Sequence, residues 1–278
     1  MVSDWYYANA FNILTRMNNP STPFIPGFPG SPPPSDNVLF NGLNINPRGS
    51  GGSYRRITLT PGLKHRLRII NPSVENTFTL SLVGHSFQII ATDFVPVTPV
   101  TVTSLYVSVG QRYDVIITAN QAVGNYWFNA TLPRGPCGIS NNPRPAAIFS
   151  YAGASGTPTS PGTVPPDALC DDPTNFTPVV TKSAPLASFT PGTGSTLNTN
   201  IQTSRNGVAR VFWPINNTPI NVTWGQPTLR YVQQGTTPSI PVDYNVISVP
   251  TANTTTFWLI QNNSSIPVSP RPGPAPWR

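Results

Sequence analysis

The sequence predicts an all-β protein built from β-sandwich domains. Between residues 67 and 127, apolar residues recur at every second position, which is the period of half-buried strands. The composition agrees, because charged residues make up only 9% of the 278 residues, and 35 prolines with 21 glycines leave little room for long helices. Disordered chains lack such aromatic alternation, so we expect a folded chain. The alternating residues are Phe78, Leu80, Leu82, Phe87, Ile89, Leu105, Val107, Val109, Tyr113, Val115 and Ile117.

The N-terminal part of the chain predicts one complete sandwich preceded by a linker. Residues 1–35 contain Trp5-Tyr6-Tyr7 and then a segment rich in Pro, Gly and Ser, which we interpret as the end of a preceding domain plus a linker. Strands begin near Val38 and end near Tyr151. Turn signals at 83–85 and 120–124 predict antiparallel pairs. Residues 36–155 are therefore predicted to form a β-sandwich domain.

The C-terminal part predicts a second, incomplete domain. Residues 156–185 are rich in Pro, Gly and Thr and are interpreted as a linker. Four strands without closing partners do not make a stable sandwich, and the prolines after residue 267 exclude ladder pairing. We therefore predict a truncated domain over 186–267 and a tail over 268–278. The predicted strands lie at 208–213, 220–224, 244–249 and 256–260.

The positive charge does not indicate a nucleic-acid partner. The formal net charge of +7 arises more from the scarcity of carboxylates, nine in all, than from dense cations. The densest cationic group, residues 64–68, alternates into a strand, so a solvated strand edge explains it more simply than a phosphate-binding stripe does. No apolar stretch approaches the length of a membrane span, so no membrane partner is predicted either.

The cysteines and sequons indicate a secreted glycoprotein. Cys137 and Cys170 have no CxxC spacing and no nearby histidine, which argues against a metal site. A disulfide between them would stabilise the fold by about 3–4 kcal/mol; two buried thiols are the alternative. Met1–Trp5 has neither a basic start nor an apolar run, so no signal peptide is present here, and we expect the true N-terminus to be missing. The possible N-glycosylation sites are Asn129, Asn175, Asn216, Asn221, Asn253, Asn262 and Asn263.

Several segments resemble fungal laccases, most closely those of ascomycete type, in the multicopper oxidase family. SDNVLFNG, LTPGLKHRLRIIN, SLVGHSFQIIATDFVPV, VGQRYDVIITANQAVGNYWFN and NNPRPAAIFSYAG are similar to the second cupredoxin domain. FWPINNTPINVTWGQPTLRYV and FWLIQNN resemble the start of the third. The resemblance runs from about residue 2 to 267. It implies a cupredoxin-like Greek-key β-sandwich over 36–155, with 1–35 the end of a missing first domain.

The resemblance implies an activity that this chain lacks the ligands to perform. Laccases oxidise phenols and reduce dioxygen to water with copper that is held by imidazole and thiolate groups. The family places these ligands in His-rich motifs of the first and third domains, and none of those motifs is present here. We therefore expect no copper to bind this chain and the fragment to be inactive alone. The missing first and third domain parts would be its natural packing partners, and a copper-free β-sandwich binding or structural module is the alternative.

The chain has two histidines, and both match family positions that are not ligands. His65 lies in a turn-to-strand segment and His85 at a turn, where a surface or hydrogen-bonded role is far commoner than a metal role. Asp93 and Asp114 also lie in family segments. They are expected to accept turn amides at strand ends.

Two residues match the substrate pocket of the family. Glu75 matches a carboxylate that accepts a hydrogen bond or proton from the phenolic substrate. Such a base assists because removing an electron acidifies a phenol. From the residues alone, a solvated loop glutamate is the alternative. Trp213 matches an aromatic pocket wall, with a core tryptophan as the alternative. Cys137 and Cys170 match a pair that forms an intradomain disulfide.

Overall fold

The computed structural model describes residues 1–26, 28–132, 137–159, 176–183, 196–205, 207–248 and 255–263. The chain divides into two compact units. The first contains residues 1–9 and 33–182, and the second contains residues from 10–32 and 183–271. Within the described ranges, no helix is both long enough and apolar enough to cross a membrane.

Strands in three sheets make up the first unit. A five-stranded sheet has the order β3-β11-β10-β5-β8, in which only the β3–β11 pair is parallel. A four-stranded antiparallel sheet has the order β4-β9-β6-β7, and β1 pairs with β2. The strands are β1 (Val2–Trp5), β2 (Asn37–Phe40), β3 (Arg56–Leu59), β4 (Lys64–Ile70), β5 (Phe78–Leu82), β6 (Phe87–Thr92), β7 (Val95–Val102), β8 (Leu105–Val107), β9 (Arg112–Thr118), β10 (Asn125–Thr131) and β11 (Ala146–Tyr151).

One apolar core lies between the two larger sheets. Strand β9 alternates as predicted, with Tyr113, Val115 and Ile117 buried and the residues between them half-buried. Every residue of β5 and β11 is buried. Full burial of an aliphatic or aromatic side chain stabilises by about 1.5–3 kcal/mol. Val109 departs from the predicted alternation and is 39% exposed, because β8 ends at Val107 and the chain turns at Gly110.

The prediction that the turns at 83–85 and 120–124 close antiparallel pairs is wrong. The first turn leads from β5 into β6 and the second from β9 into β10, and in each case the two strands belong to different sheets. Strand β5 pairs instead with β10 and β8, while β6 pairs with β7 and β9. A turn signal records a chain reversal, but packing decides whether the next strand pairs with the previous one or crosses the sandwich.

The described residues of the second unit contain short strands, two α-helices and the 3₁₀-helices Thr237–Ser239 and Val242–Tyr244. Its four-stranded sheet has the order β16-β15-β12-β17, and β13 pairs with β14. Helix α1 lies within residues 1–35, which were predicted to be the end of a preceding domain plus a linker, and it has no buried residue. The elements are α1 (Ala10–Met17), β12 (Thr196–Thr199), β13 (Gln202–Arg205), β14 (Val208–Phe212), β15 (Pro214–Ile215), β16 (Thr218–Pro219), α2 (Thr228–Gln233) and β17 (Leu259–Asn262).

Two strands predicted in this unit are absent from its described residues. Residues 220–224 form no strand, and neither do 244–248. Side-chain hydrogen bonds hold the two segments instead: the Tyr244 hydroxyl accepts the Thr223 amide at 3.0 Å and donates to the Gln226 carbonyl at 2.8 Å. Apolar alternation alone misled the prediction there, because prolines at 219, 227 and 241 prevent a continuous ladder. The prediction of an all-β fold is nevertheless confirmed, since the two α-helices are short.

Candidate functional site

The candidate site is the loop that joins β4 to β5 and carries Glu75. Asn71, which is 1% exposed, holds this loop closed. Its side-chain amide donates to the backbone carbonyls of Asn76 at 3.0 Å and Val107 at 3.1 Å. Its side-chain oxygen accepts the Ser73 amide at 3.1 Å. A buried, fully bonded asparagine therefore fixes the loop against β8.

The Asp4 side chain in β1 binds the backbone of the same loop. The amides of Val74, Glu75 and Asn76 donate to the Asp4 carboxylate at 3.2, 3.0 and 3.1 Å. The Asp4 amide in turn donates to the Ser73 hydroxyl at 2.9 Å. Successive backbone N–H groups that converge on one anion form a compact anion-binding arrangement. Strand β1 thus fixes the backbone on both sides of Glu75.

Asn76 attaches the loop to two further segments. It is fully buried; its side-chain amide donates to the Ser35 hydroxyl at 2.9 Å, and its side-chain oxygen accepts the Ile139 amide at 2.8 Å. Gly138 allows this close approach, because a Cβ atom there would lie 2.3 Å from the Asn76 side-chain oxygen. Gly138 also has a φ of +137°, a conformation that only glycine adopts readily.

The Glu75 carboxylate is partly buried and has no hydrogen-bond or ion-pair partner among the residues that the structure describes. Burial raises the pKa of Glu75, and the charge of Asp4 raises it further. A half-buried carboxylate with a raised pKa can accept a proton from a bound hydroxyl group.

Tyr6 adds a neutral hydroxyl to this cluster. Its OH donates to Asp4 at 3.4 Å. Burial raises the pKa of Tyr6 well above its usual range, and the charges of Asp4 and Glu75 act in the same direction. Tyr6 therefore stays protonated and does not compete with Glu75 as a base.

Trp213 lies in the second unit, directly after β14. Its side chain is 38% exposed. A Cβ atom at Gly30 would lie 3.0 Å from the Trp213 ring, so the ring rests against this glycine. Glu75 belongs to the first unit, and the pocket role of Trp213 stays a prediction.

The histidines do not form a metal centre. The Thr60 amide donates to His65 Nε2 at 3.0 Å. His85 is 7% exposed; its Nδ1 lies 2.8 Å from the Val83 carbonyl, and its Nε2 lies 2.7 Å from the Tyr151 hydroxyl. In the part of the chain that is described, no three His, Cys, Asp or Glu residues lie together so that they could hold a metal. Two histidines engaged in this way do not fit the donor set that copper in a multicopper oxidase requires.

The two aspartates differ from each other in role. Asp93 accepts the amide of Arg112, the first residue of β9, at 3.0 Å, so the amide that it binds belongs to a strand and not to a turn. Asp114 lies inside β9 instead, and it makes ion pairs with Arg66 and, at 3.7 Å, with Arg68. The prediction of a turn-amide role for Asp114 is therefore wrong, because its cross-strand neighbours on β4 are cationic.

The disulfide and glycosylation predictions remain open. Cys137 is buried, and Cys170 lies outside the described residues. Asn175 and Asn253 also lie outside them. The remaining sequon asparagines divide into half-buried Asn129 and Asn262 and exposed Asn216, Asn221 and Asn263.

Sequence reasoning missed Asp4 and Asn76. Asp4 is the only acidic residue among the first 35, and this isolation is the one sequence signal that could have singled it out. No local pattern reveals that its partners lie 70 to 72 positions further along the chain.

Comparison with known proteins assigns the family. The model described as "Multicopper oxidase" matches residues 1–154. The chain is 49% identical to Laccase-2 of Podospora anserina over 96% of its length, and 44% identical to Laccase-1 of Melanocarpus albomyces over 96%. It spans 41% of each of these relatives. A crystal structure of a laccase from Botrytis aclada covers 88% of this chain with a TM-score of 0.64 at 27% identity, and the match extends over 44% of that laccase. The chain therefore belongs to the multicopper oxidase family.

Proposed function

We propose that this chain is part of a laccase-type oxidase of phenols, to which it contributes a β-sandwich and Glu75 as a proton acceptor. The observation that carries the proposal is the half-buried Glu75 carboxylate, which has no protein partner among the described residues and a raised pKa. The 49% identity to a laccase over 96% of the chain supports the substrate class.

The physical basis is that loss of an electron acidifies a phenol. A carboxylate beside the phenolic hydroxyl accepts its proton as the electron leaves, so no phenol cation accumulates. The raised pKa of Glu75 makes the carboxylate a better proton acceptor in its ionised form. Copper in the intact oxidase supplies the redox chemistry, and its ligands would come from protein outside this sequence, because the donors present here do not fit. By itself, this chain would not be catalytic.

The proposal extends to the compartment and partners of the parent oxidase. It would be secreted, with glycans on some of the sequon asparagines and a disulfide between Cys137 and Cys170. The remaining parts of the oxidase would be the partners of this chain. Small phenols would be its substrates.

The test is a chimera in which this chain replaces the matching segment of Laccase-2 from Podospora anserina. Glu75→Gln removes the proton acceptor and keeps the shape of the side chain. We expect kcat/KM for a phenol to fall about 100-fold, because general bases contribute on this scale. Oxidation of a non-phenolic one-electron donor, which releases no proton, should be unchanged.

Asp36→Asn is the matched control. The Asp36 carboxylate accepts the Tyr7 amide at 2.8 Å and pairs with Arg48 at 2.5 Å, so this variant makes the same change of charge in the same unit. It should leave the ratio of phenolic to non-phenolic rates unaltered. Equal losses on both donors in Glu75→Gln would refute the role of Glu75. A folded, copper-loaded chimera without activity would overturn the proposal and favour the copper-free binding module.

A further inference from the structure

We propose that Asp4 is a positioning residue for Glu75: its carboxylate holds the loop backbone in place and sets a fixed negative charge beside the proton acceptor. The inference rests on the proposed role of Glu75. It assigns a function to the N-terminal strand β1, which sequence analysis treated only as the end of another domain.

The Asp4 carboxylate is held by the loop backbone. Three consecutive amides, those of Val74, Glu75 and Asn76, donate to one carboxylate at 3.0 to 3.2 Å. Hydrogen bonds to a charged group are roughly twice as strong as those between neutral groups. Because the Glu75 amide is the central one, the bonds fix the backbone on both sides of this residue.

Further hydrogen bonds, made by Asn71 and Asn76, hold the same loop. Asn71 and Asn76 are 1% and 0% exposed, and they bond the loop to the carbonyl of Val107 and the hydroxyl of Ser35. A side chain can be held in a productive geometry only if its supporting residues are themselves fixed. Asp4 adds three hydrogen bonds to the loop backbone to this support.

Asp4 also acts on Glu75 through its charge. Burial is the larger cause of the raised pKa of Glu75, and the charge of Asp4 raises this pKa further. Tyr6, whose OH donates to Asp4, is the other titratable group of this cluster, and it stays neutral. The charge of Asp36 contributes to the raised pKa of Tyr6. The charge that raises the pKa of Glu75 is that of Asp4. The two functions of Asp4, anchoring and charge, can therefore be separated by substitution.

Asp4→Asn tests the charge with little change in shape. In the full 278-residue chain, the Glu75 side chain is titrated by carbon-detected NMR. We expect a lower pKa for Glu75 in Asp4→Asn than in the parent, because the repelling charge is gone. A residue with a merely structural role would not move this titration. Asp36→Asn is the control and should leave the pKa of Glu75 unchanged.

Asp4→Ala tests the anchor. Loss of the acceptor should speed hydrogen exchange of the Val74, Glu75 and Asn76 amides by roughly tenfold or more. Amides of β6, which pairs with β7 and β9, report whether the sandwich is intact. An unchanged pKa in Asp4→Asn, or unchanged exchange in Asp4→Ala, would overturn the proposal.

These readouts do not depend on oxidase activity, so the two proposals can fail separately. If Asp4→Asn lowers the pKa of Glu75 but Glu75→Gln keeps full phenol oxidation in the chimera, the proposed function fails and the coupling between Asp4 and Glu75 stands. If Asp4→Asn leaves the pKa of Glu75 unchanged but Glu75→Gln slows phenol oxidation in the chimera, only the role of Asp4 is rejected.

Discussion

Asn76→Ala should destabilise the first unit strongly, although it removes no apolar contact from the core. Asn76 is fully buried and makes two side-chain hydrogen bonds, to the Ser35 hydroxyl at 2.9 Å and from the Ile139 amide at 2.8 Å. Each lost bond costs about 1 kcal/mol, and leaving the buried Ser35 hydroxyl without this donor adds about 1 kcal/mol. The expected loss is thus about 2–4 kcal/mol.

Hydrogen exchange of the β5 amides measures this loss within the first unit. Denaturant unfolding of the whole chain is less suitable, because a chain with two units need not unfold in one step. Exchange through opening of the unit should become on the order of 100-fold faster, since about 1.4 kcal/mol corresponds to a factor of ten.

Two further variants sharpen this test. Asn120→Ala is the matched control: Asn120 is exposed, and its replacement should change stability by less than about 0.5 kcal/mol. Ser35→Ala combined with Asn76→Ala should cost less than the sum of the single variants, because the two residues are bonded to each other. A loss below about 1 kcal/mol in Asn76→Ala, or strict additivity, would refute the assignment of stability to this buried pair.

Two other predictions concern the histidines. Burial lowers the pKa of His85, so its contribution to stability is complete above about pH 6.5 and is lost as the pH falls towards the folded-state value. His85→Asn should therefore lose less unfolding free energy between pH 7 and pH 5 than the parent does; equal losses in the two proteins would contradict a buried neutral His85. The purified chain, after exposure to copper and dialysis, should show no blue absorption band and no stoichiometric metal by mass spectrometry. A blue band would contradict the conclusion drawn from its donor set.

The sequence predicted the sandwich because strand periodicity depends only on residues that are close together in the chain. Alternation of Tyr113, Val115 and Ile117 reports which face of a strand is buried, and the structure shows these side chains in the core. The same rule failed at 220–224 and 244–249, where prolines flank the segments. It also failed to specify the pairing of β5, because a turn does not determine which strand comes to lie beside it.

The candidate site was predicted only in part. Glu75 was identified through resemblance, since a glutamate in a loop carries no local sign of its environment. That its carboxylate is half-buried, without a described partner and beside Asp4 follows from the fold. The polar support from Asn71 and Asn76 was equally invisible, because short polar residues in a loop are usually solvated and here are buried.

The sequence by itself determined the fold class and the donor set: the period of two sets the strands, and two histidines in 278 residues limit the metal chemistry of this chain. Tertiary structure alone decided that Asp4 meets the backbone of Glu75, 71 positions away, and that Ser35 bonds the side chain of the neighbouring Asn76. The physical reason is the separation along the chain of the residues that determine each property. Side-chain alternation and ligand counts are properties of neighbouring residues or of composition, whereas a hydrogen bond between distant segments exists only after the sheets have packed.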